Sequence, residues 1–333
     1  MSRRTISTLR DGDSVDEVFL ATDKQLRNNR NGQSFIQVTI QDRSGNLTGR
    51  VWNAGEALFR TFEIGEYIRV KGKAQLFQGA LQLIVNNIEK IDSSGVNLAD
   101  FLPRTEQDIT KLFERLRGYL MKLTNPYLKS LAQCYLMDDK FVAAFCQAPA
   151  GVKVHHAYVG GLLEHVTTMM DVADRILPFY PDVNRDLLMI GVFLHDTGKI
   201  RELTYESAFN YSDEGQLLGH MNIGIEMLKH YEGQVKSLLG ENMPEDLSVR
   251  LKHMIISHHG TAEFGSPKIP MTPEAVALHA IDSLDSRIHI TVREIKDDVI
   301  SNSNWTPYNA ALQRKLYKGP KPKNGTPAQE DED

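Results

Sequence analysis

The sequence lacks what several common chemistries need. Its 333 residues include only two cysteines, Cys134 and Cys146, in an apolar helical stretch without a CxxC partner. No disulfide framework or thiolate zinc site is indicated, and both read as buried small hydrophobes. No apolar run is long enough to span a bilayer, and the opening MSRRTISTLRDGD has no signal-peptide core. A cytoplasmic setting without membrane contact is expected. GxSxG, P-loop and Cys–His nucleophile patterns are missing too, which leaves covalent catalysis without support.

A strong basic excess is also lacking, since the net charge is −5. The average conceals a division. Residues 1–92 hold 13 Lys and Arg against 11 Asp and Glu, and the remainder holds 25 against 32. Nucleic-acid binding therefore needs no basic whole; a local basic groove suffices.

Residues 12–92 read as strands. VFLATDKQL, SFIQVTIQD, NLTGRVWN, YIRVKGKAQLF and ALQLIVNNIEKI alternate β-branched or aromatic residues with polar ones, as half-buried strands do. Turn signals at Asn31-Gly32, Ser44-Gly45-Asn46 and Gln78-Gly79 separate them. AGEALFRTFEIG, between the third and fourth strands, reads as a short helix closed by Gly65. Five strands with that helix are the arrangement of the OB barrel, which often binds oligonucleotides; an SH3-like barrel fits the strand count as well. The expected architecture is multidomain, α and β: a five-stranded OB-type barrel over 1–92, a linker over 93–102, and an all-α domain over 103–317. Residues 318–333 form a Pro/Gly-rich, acid-ended tail expected to be disordered.

The central chemical signal is FLHDTGKI at 193–200. His195 and Asp196 close an apolar helix, with Gly198 reading as a breaker behind them. Adjacent helical residues point about 100° apart, yet at a helix end both can approach one metal cluster. His165 in GGLLEHV, His220 in LLGHMNIG, and His258 and His259 in ISHHGT each sit beside a glycine or in an apolar helix. Asp282 in ALHAIDSLDS is a carboxylate in an apolar helix, where pairing with a cation is the usual resolution. This donor set suits divalent ions, with manganese first and iron, cobalt or magnesium as alternatives. His230, His253, His279 and His289 read as surface or capping residues, His279 with a supporting role open to it one turn from Asp282.

At these residues the chain resembles the HD phosphohydrolase superfamily, whose H…HD…D ligands correspond to His165, His195, Asp196 and Asp282. His220 and the His258/His259 pair are similar to the binuclear branch. HHAYVGGLLEHV, FLHDTGKIRE, GQLLGHMNIG, ISHHGTAEFGSPKIP and LHAIDSLDSR together resemble the YhaM-type 3′-5′ exoribonucleases, which also place an OB-type module before an HD domain. The resemblance covers roughly residues 12–315 and is strongest from 150 to 290. It implies a nuclease acting on single-stranded RNA, with DNA left open; the RNA preference rests on the resemblance and on no residue in particular.

The expected chemistry is hydrolysis by a water activated between two divalent ions. His165 and Asp282 are assigned to one ion, and His220 with His258, in preference to His259, to the other, with Asp196 as the bridge and His195 completing the ligand set. Lys199 is placed to meet a phosphate oxygen, or else is a solvated loop lysine. His155 and His156 either contact phosphate or are structural, and Arg201 and the EFGSP loop (263–267) are candidate lining of the substrate path. On the barrel, Phe35, Trp52 and Phe77 are candidate stacking platforms, with Lys24, Arg27, Arg30, Arg50, Lys71 and Lys73 as phosphate contacts; alternation is expected to send several of these rings into the barrel interior. The long helices also leave room for a homo-oligomer. The alternative is an HD-type nucleotide or cyclic-dinucleotide phosphohydrolase whose barrel serves assembly or regulation; activity on mononucleotides alone would single it out. A third reading, a nucleic-acid-binding protein with a merely structural helical domain, is disfavoured by the full ligand set.

Overall fold

The computed structural model describes residues 3–29, 32–77, 80–92, 96–97, 100–152, 156–205, 209–262, 265–298, 303–309 and 312–320. Five strands form a closed barrel in the order β1-β2-β3-β5-β4: β1 (Ser14–Asn28), β2 (Ser34–Asp42), β3 (Gly45–Trp52), β4 (Tyr67–Phe77) and β5 (Ala80–Ile91). The short helix α1 (Glu56–Phe59) lies between β3 and β4. Pairing is antiparallel except between β3 and β5. Parallel closure there is the OB arrangement, one of the two barrels that the strand pattern allows. Alternation sends Phe19, Ile36, Val38, Ile40, Ile68, Val70 and Leu83 inward, where each is fully buried. Gly72, at a β-bulge, is needed for closeness: a Cβ would stand 2.3 Å from the Ile84 carbonyl oxygen.

The stretch read as a linker is partly core. Leu20 and Tyr67 lie outside the barrel's own interior cluster, yet both are buried, because Phe101 and Leu102 fold back over them. Val159 and Phe209 of the helical domain join the same cluster, and Thr105 donates its amide to the Val159 carbonyl. The seam between the domains is thus built largely by residues just past the barrel.

The helical domain comprises α2 (Ile109–Met121), α3 (Pro126–Met137), α4 (Asp139–Gln147), α5 (Gly161–Ile176), α6 (Arg185–Leu194), α7 (Lys199–Glu202), α8 (Asp213–Leu239), α9 (Glu245–Ser257) and α10 (Pro273–Asp297), with a two-stranded ribbon, β6 (Leu203–Thr204) and β7 (Asn210–Tyr211). Asp108, Asn125 and Asp138 cap α2, α3 and α4 by accepting the first free amides. α6 is apolar and buried from Asp186 to Leu194, so it runs through the middle of the domain. Burying each Leu or Phe side chain there contributes roughly 1.5–3 kcal/mol. Asp186 is its one buried charge and accepts from the Thr124 and Asn125 amides and the Thr124 hydroxyl at 2.7–2.8 Å.

Two glycines correct the sequence reading. Gly198 lies in the turn between α6 and α7, yet its own φ of −61° and ψ of −20° are helical, so its backbone conformation does not force the break. Its role is approach, because a Cβ would stand 2.0 Å from the His220 carbonyl oxygen. Gly219 is the real irregularity, with φ 72° and ψ 155° dividing α8 just before His220. Helix was also expected to continue to about Tyr317, but α10 ends at Asp297, and among the described residues of 303–309 and 312–320 there are only isolated bridges, Trp305 to Tyr317 and Asn309 to Arg314. Lys318 pairs with Asp298 at 2.9 Å. The expected tail from 321 onward lies outside the described residues, as do Asn31 and Gln78-Gly79 of the expected turns. Among the described residues no helix is long and apolar enough to cross a membrane.

Candidate metal centre and strand-binding face

Two helix ends, of α6 and α9, and the interiors of α5, α8 and α10 converge on Asp196. His195 and His258 close α6 and α9, and each donates Nδ1–H to the carbonyl three residues back, Val192 at 2.8 Å and Ile255 at 2.7 Å. A carbonyl can only accept, so the proton is fixed on Nδ1 and the Nε2 lone pair faces the centre. His165 on α5 is held by Asp285, and His220, just past the Gly219 break, is held through Nδ1 and its backbone amide by Glu202 Oε1, both at 3.0 Å. Asp282 comes from α10.

The resulting ring is tight and buried. Asp196 Oδ2 lies 3.4 Å from His195 Nε2 and 3.7 Å from His165 Nε2; Asp196 Oδ1 lies 3.5 Å from His220 Nε2 and 3.6 Å from His258 Nε2. Asp282 Oδ1 is 3.4 Å from His165 Nε2. Among the described residues, groups within ligating distance of one another are His165–His195–Asp282, His195–Asp196–His258 and His220–His258–His259, with His156–His165–Asp285 beside them. The Nε2 atoms of His195, His220 and His258 and the Oδ1 atom of Asp196 are buried without a hydrogen bond. Leaving so many polar atoms unsatisfied in one place would be costly. Donor atoms about 2.1 Å from a shared ion lie roughly 3.0–3.4 Å apart, close to the spacings seen. The residues fit divalent cations.

The electrostatics agree. Burial works against charge on Asp196, but Lys199 and His195 overcome it and hold the carboxyl well below the usual range. Burial also opposes charge on His165, yet Asp282 and Asp285 push its pKa up to about 9, so the potential there is strongly negative and suited to a cation. His258 is depressed by burial and then by its neighbour His195. Lys199 is buried and donates to Asp196 Oδ2 at 2.6 Å, which excludes a solvated loop lysine.

Several expected contacts fall elsewhere. His156 is buried with its ring nitrogens on Asp285 and Tyr158, at 3.0 and 2.7 Å, so it faces the back of His165 rather than a phosphate. His155 and residues 263–264 of the EFGSP loop lie outside the described residues. Arg201 pairs with Glu214 and, at 3.5 Å, with Glu226, which offsets its charge and leaves the path-lining expectation without support. His279 supports the centre by donating Nδ1–H to the His258 carbonyl at 2.7 Å. Sequence reasoning missed Asp285 and Glu202. Asp285 stood one turn beyond Asp282, and Glu202 closed the motif FLHDTGKIRE.

On the barrel all three candidate rings lie outside the apolar interior, contrary to the expectation that several fill it. Their strand parity explains this, because Phe35 is out of step with Ile36, Val38 and Ile40. Register places Arg27, Phe35 and Trp52 in one cross-strand row, and the Phe35 and Trp52 ring centroids are 4.9 Å apart. Trp52 is 43% and Phe77 45% exposed; the Arg50 guanidinium lies 5.7 Å above the Phe77 ring. Lys73 is exposed on β4. Lys71 is engaged by Asp16 at 3.1 Å. Lys24 is a correction: its side chain is 6% exposed, and Nζ donates to the Phe59 carbonyl at 2.9 Å, to the Phe62 carbonyl and to Glu63. It pins α1 to the barrel and is closed to phosphate. Arg30 lies outside the described residues.

Two family profiles match the chain: the OB-fold nucleic acid binding domain at residues 21–91 and the HD domain at residues 162–287. Fold and centre together define an HD-domain, metal-dependent hydrolase that carries an OB-fold module. Curated relatives narrow this. The 3′-5′ exoribonuclease YhaM of Bacillus subtilis (strain 168) is 32% identical over 309 residues, covering 92% of this chain and 95% of that protein. Its counterpart in Bacillus velezensis is 33% identical over 311 residues with the same coverage, and that of Listeria monocytogenes serovar 1/2a is 32% identical over 286 residues, 86% of this chain and 89% of that one. The chain belongs to the YhaM 3′-5′ exoribonuclease family and is an enzyme.

Proposed function

We propose that this enzyme shortens single-stranded RNA from its 3′ end, with two divalent cations, manganese foremost, in the centre around Asp196. The observation that carries the reading is the set of buried, unsatisfied polar atoms of His195, Asp196, His220 and His258 that the end of α6, α8 and the end of α9 bring to face one another. His165, His195, Asp196 and Asp282 would hold one cation; Asp196, His220, His258 and His259 would hold the other. Bound there, such a pair lowers the pKa of a water and neutralises charge developing on the phosphate. Asp196 offers one oxygen to each half. Lys199 balances the oxygen it touches, and an ammonium has two further protons for an incoming phosphate oxygen. Water adds across the P–O bond, so one fragment leaves with the phosphate and the other with a hydroxyl. On the barrel, Phe35, Trp52 and Phe77 offer ring faces to unpaired bases, and Arg27, Arg50 and Lys73 offer charge to the backbone.

The test is a 5′-labelled oligoribonucleotide with Mn²⁺, run beside a DNA strand of the same sequence. The expected result is a ladder that keeps its label while the 3′ end recedes. Asp196→Ala should abolish turnover and leave strand binding nearly intact. Internal cuts, or turnover confined to mononucleotides or cyclic dinucleotides, would overturn the reading, as would full activity in Asp196→Ala.

A further inference from the structure

Behind the centre stands a carboxylate the chemistry above does not use. Asp285 lies on α10, one turn beyond Asp282, and its side chain is 12% exposed. Its Oδ2 accepts from His165 Nδ1 at 2.7 Å and from His156 Nε2 at 3.0 Å. His156 Nδ1 shares a 2.7 Å hydrogen bond with the Tyr158 hydroxyl, and the His289 ring stacks on the far side of His156 with centroids 4.0 Å apart. The segment carrying His156 is held in an unusual shape. His156 has a φ of 46°, and its carbonyl oxygen would stand 2.0 Å from a Cβ on Gly161, the first residue of α5. A non-glycine residue in this region persists only where its surroundings dictate it. The chain of contacts continues outward, because Tyr158 also faces Glu164, and Glu164 accepts from the Thr105 hydroxyl beside the domain seam.

We propose that Asp285 is a positioning residue for the metal centre: by accepting from His165 Nδ1 it fixes the tautomer and aim of that ring, so that Nε2 presents a lone pair to the cation between Asp196 and Asp282. His156 and Tyr158 keep the Asp285 carboxylate turned toward His165. A carboxylate behind a ligating imidazole raises its basicity and locks its orientation, and losing one costs about 10- to 100-fold in metal affinity. Glu202 stands behind His220 in the same relation, so each half of the centre has its own support. The amide of asparagine could turn its NH₂ to His165 Nδ1, forcing the proton onto Nε2 and spoiling the ligand. The proposal rests on the reading that the centre holds two divalent cations.

The test is titration of the full-length, metal-stripped enzyme with Co²⁺, read by visible absorption and calorimetry. Wild type should show two uptake events. In Asp285→Asn one of them should weaken by about 10- to 100-fold with a changed absorption band while the other persists; kcat should fall and KM for RNA stay level. Asp285→Glu, which restores an acceptor, should recover part of the affinity. Two events of wild-type strength in Asp285→Asn overturn this proposal alone, whereas a wild type that takes up no cobalt overturns the metal reading and this proposal with it. Should Asp285→Asn fail to fold by circular dichroism, Tyr158→Phe replaces it: weakening of the same event supports the proposal, and an unchanged curve overturns it.

Discussion

Replacing Gly198 by alanine adds one methyl group at the closest approach of two backbones. The new Cβ would stand 2.0 Å from the His220 carbonyl oxygen and 2.8 Å from the Gly224 amide nitrogen. Ordinary contact begins at 3.4 Å, so α7 and α8 must part by about 1.4 Å, the difference between 3.4 and 2.0 Å. No flexible side chain is available to yield. The shift acts on His220 itself, whose Nε2 lies 3.5 Å from Asp196 Oδ1, so the histidine-rich half of the centre opens by a comparable amount. A misplacement of about 1 Å can cost on the order of 100-fold in rate, and overpacking costs roughly 1–3 kcal/mol of stability. The assay compares kcat on a labelled oligoribonucleotide and thermal unfolding with those of Gly233→Ala. Gly233 is on α8, the helix that carries His220, but a Cβ there meets nothing within 4 Å; that variant should keep full activity and gain up to about 1 kcal/mol from helix propensity. Activity within twofold of wild type in Gly198→Ala would refute the argument that this approach sets the position of His220.

Other predictions concern the barrel, the cations and acid stability. Trp52→Ala should weaken binding of single-stranded RNA by about 1–3 kcal/mol in filter binding, while Co²⁺ uptake stays unchanged; equal loss of both would point to misfolding instead. Stripping the cations with a chelator should lower the unfolding temperature, and adding Mn²⁺ at about 100 times its Kd should restore roughly 2.7 kcal/mol; calorimetry with and without the metal checks this. Glu274 is buried, which raises its pKa, but the Asn184 amide and Arg250 outweigh burial and hold it below the ordinary 4.5. A carboxylate depressed by folding stabilises the protein fully above its unfolded value, and that contribution is lost as pH falls through the folded one. Urea midpoints should therefore drop more steeply below pH 4.5 in wild type than in Glu274→Gln; parallel curves would refute the assignment.

What the sequence discloses follows the range of the forces involved. Strand alternation and turn residues are local, and the five strands came out within a few residues of their observed ends. The residues that gather around Asp196 were legible because a histidine or aspartate in an apolar helix is expensive without a partner. Even the outward parity of Phe35 was present, since it breaks step with Ile36 and Val38. Contacts across long stretches of chain were not legible. Asp285 reaches His165 from 120 residues away, and nothing near Lys24 announces that it will be buried against the Phe59 and Phe62 carbonyls. Arg201 looked free only because Glu214 and Glu226 arrive from another helix. Gly198 shows a further limit: a glycine needed for close approach and one that ends a helix are written with the same letter.

The covering of Leu20 and Tyr67 by Phe101 and Leu102 bears on how this protein can be cut. A fragment stopped at residue 92, where strand pairing ends, would carry a bare oily patch that also includes Val18 and Ile91. Such a piece would be expected to clump, and its poor behaviour would be mistaken for weak affinity for nucleic acid. Extending the fragment through Leu102 takes the lid along with the vessel.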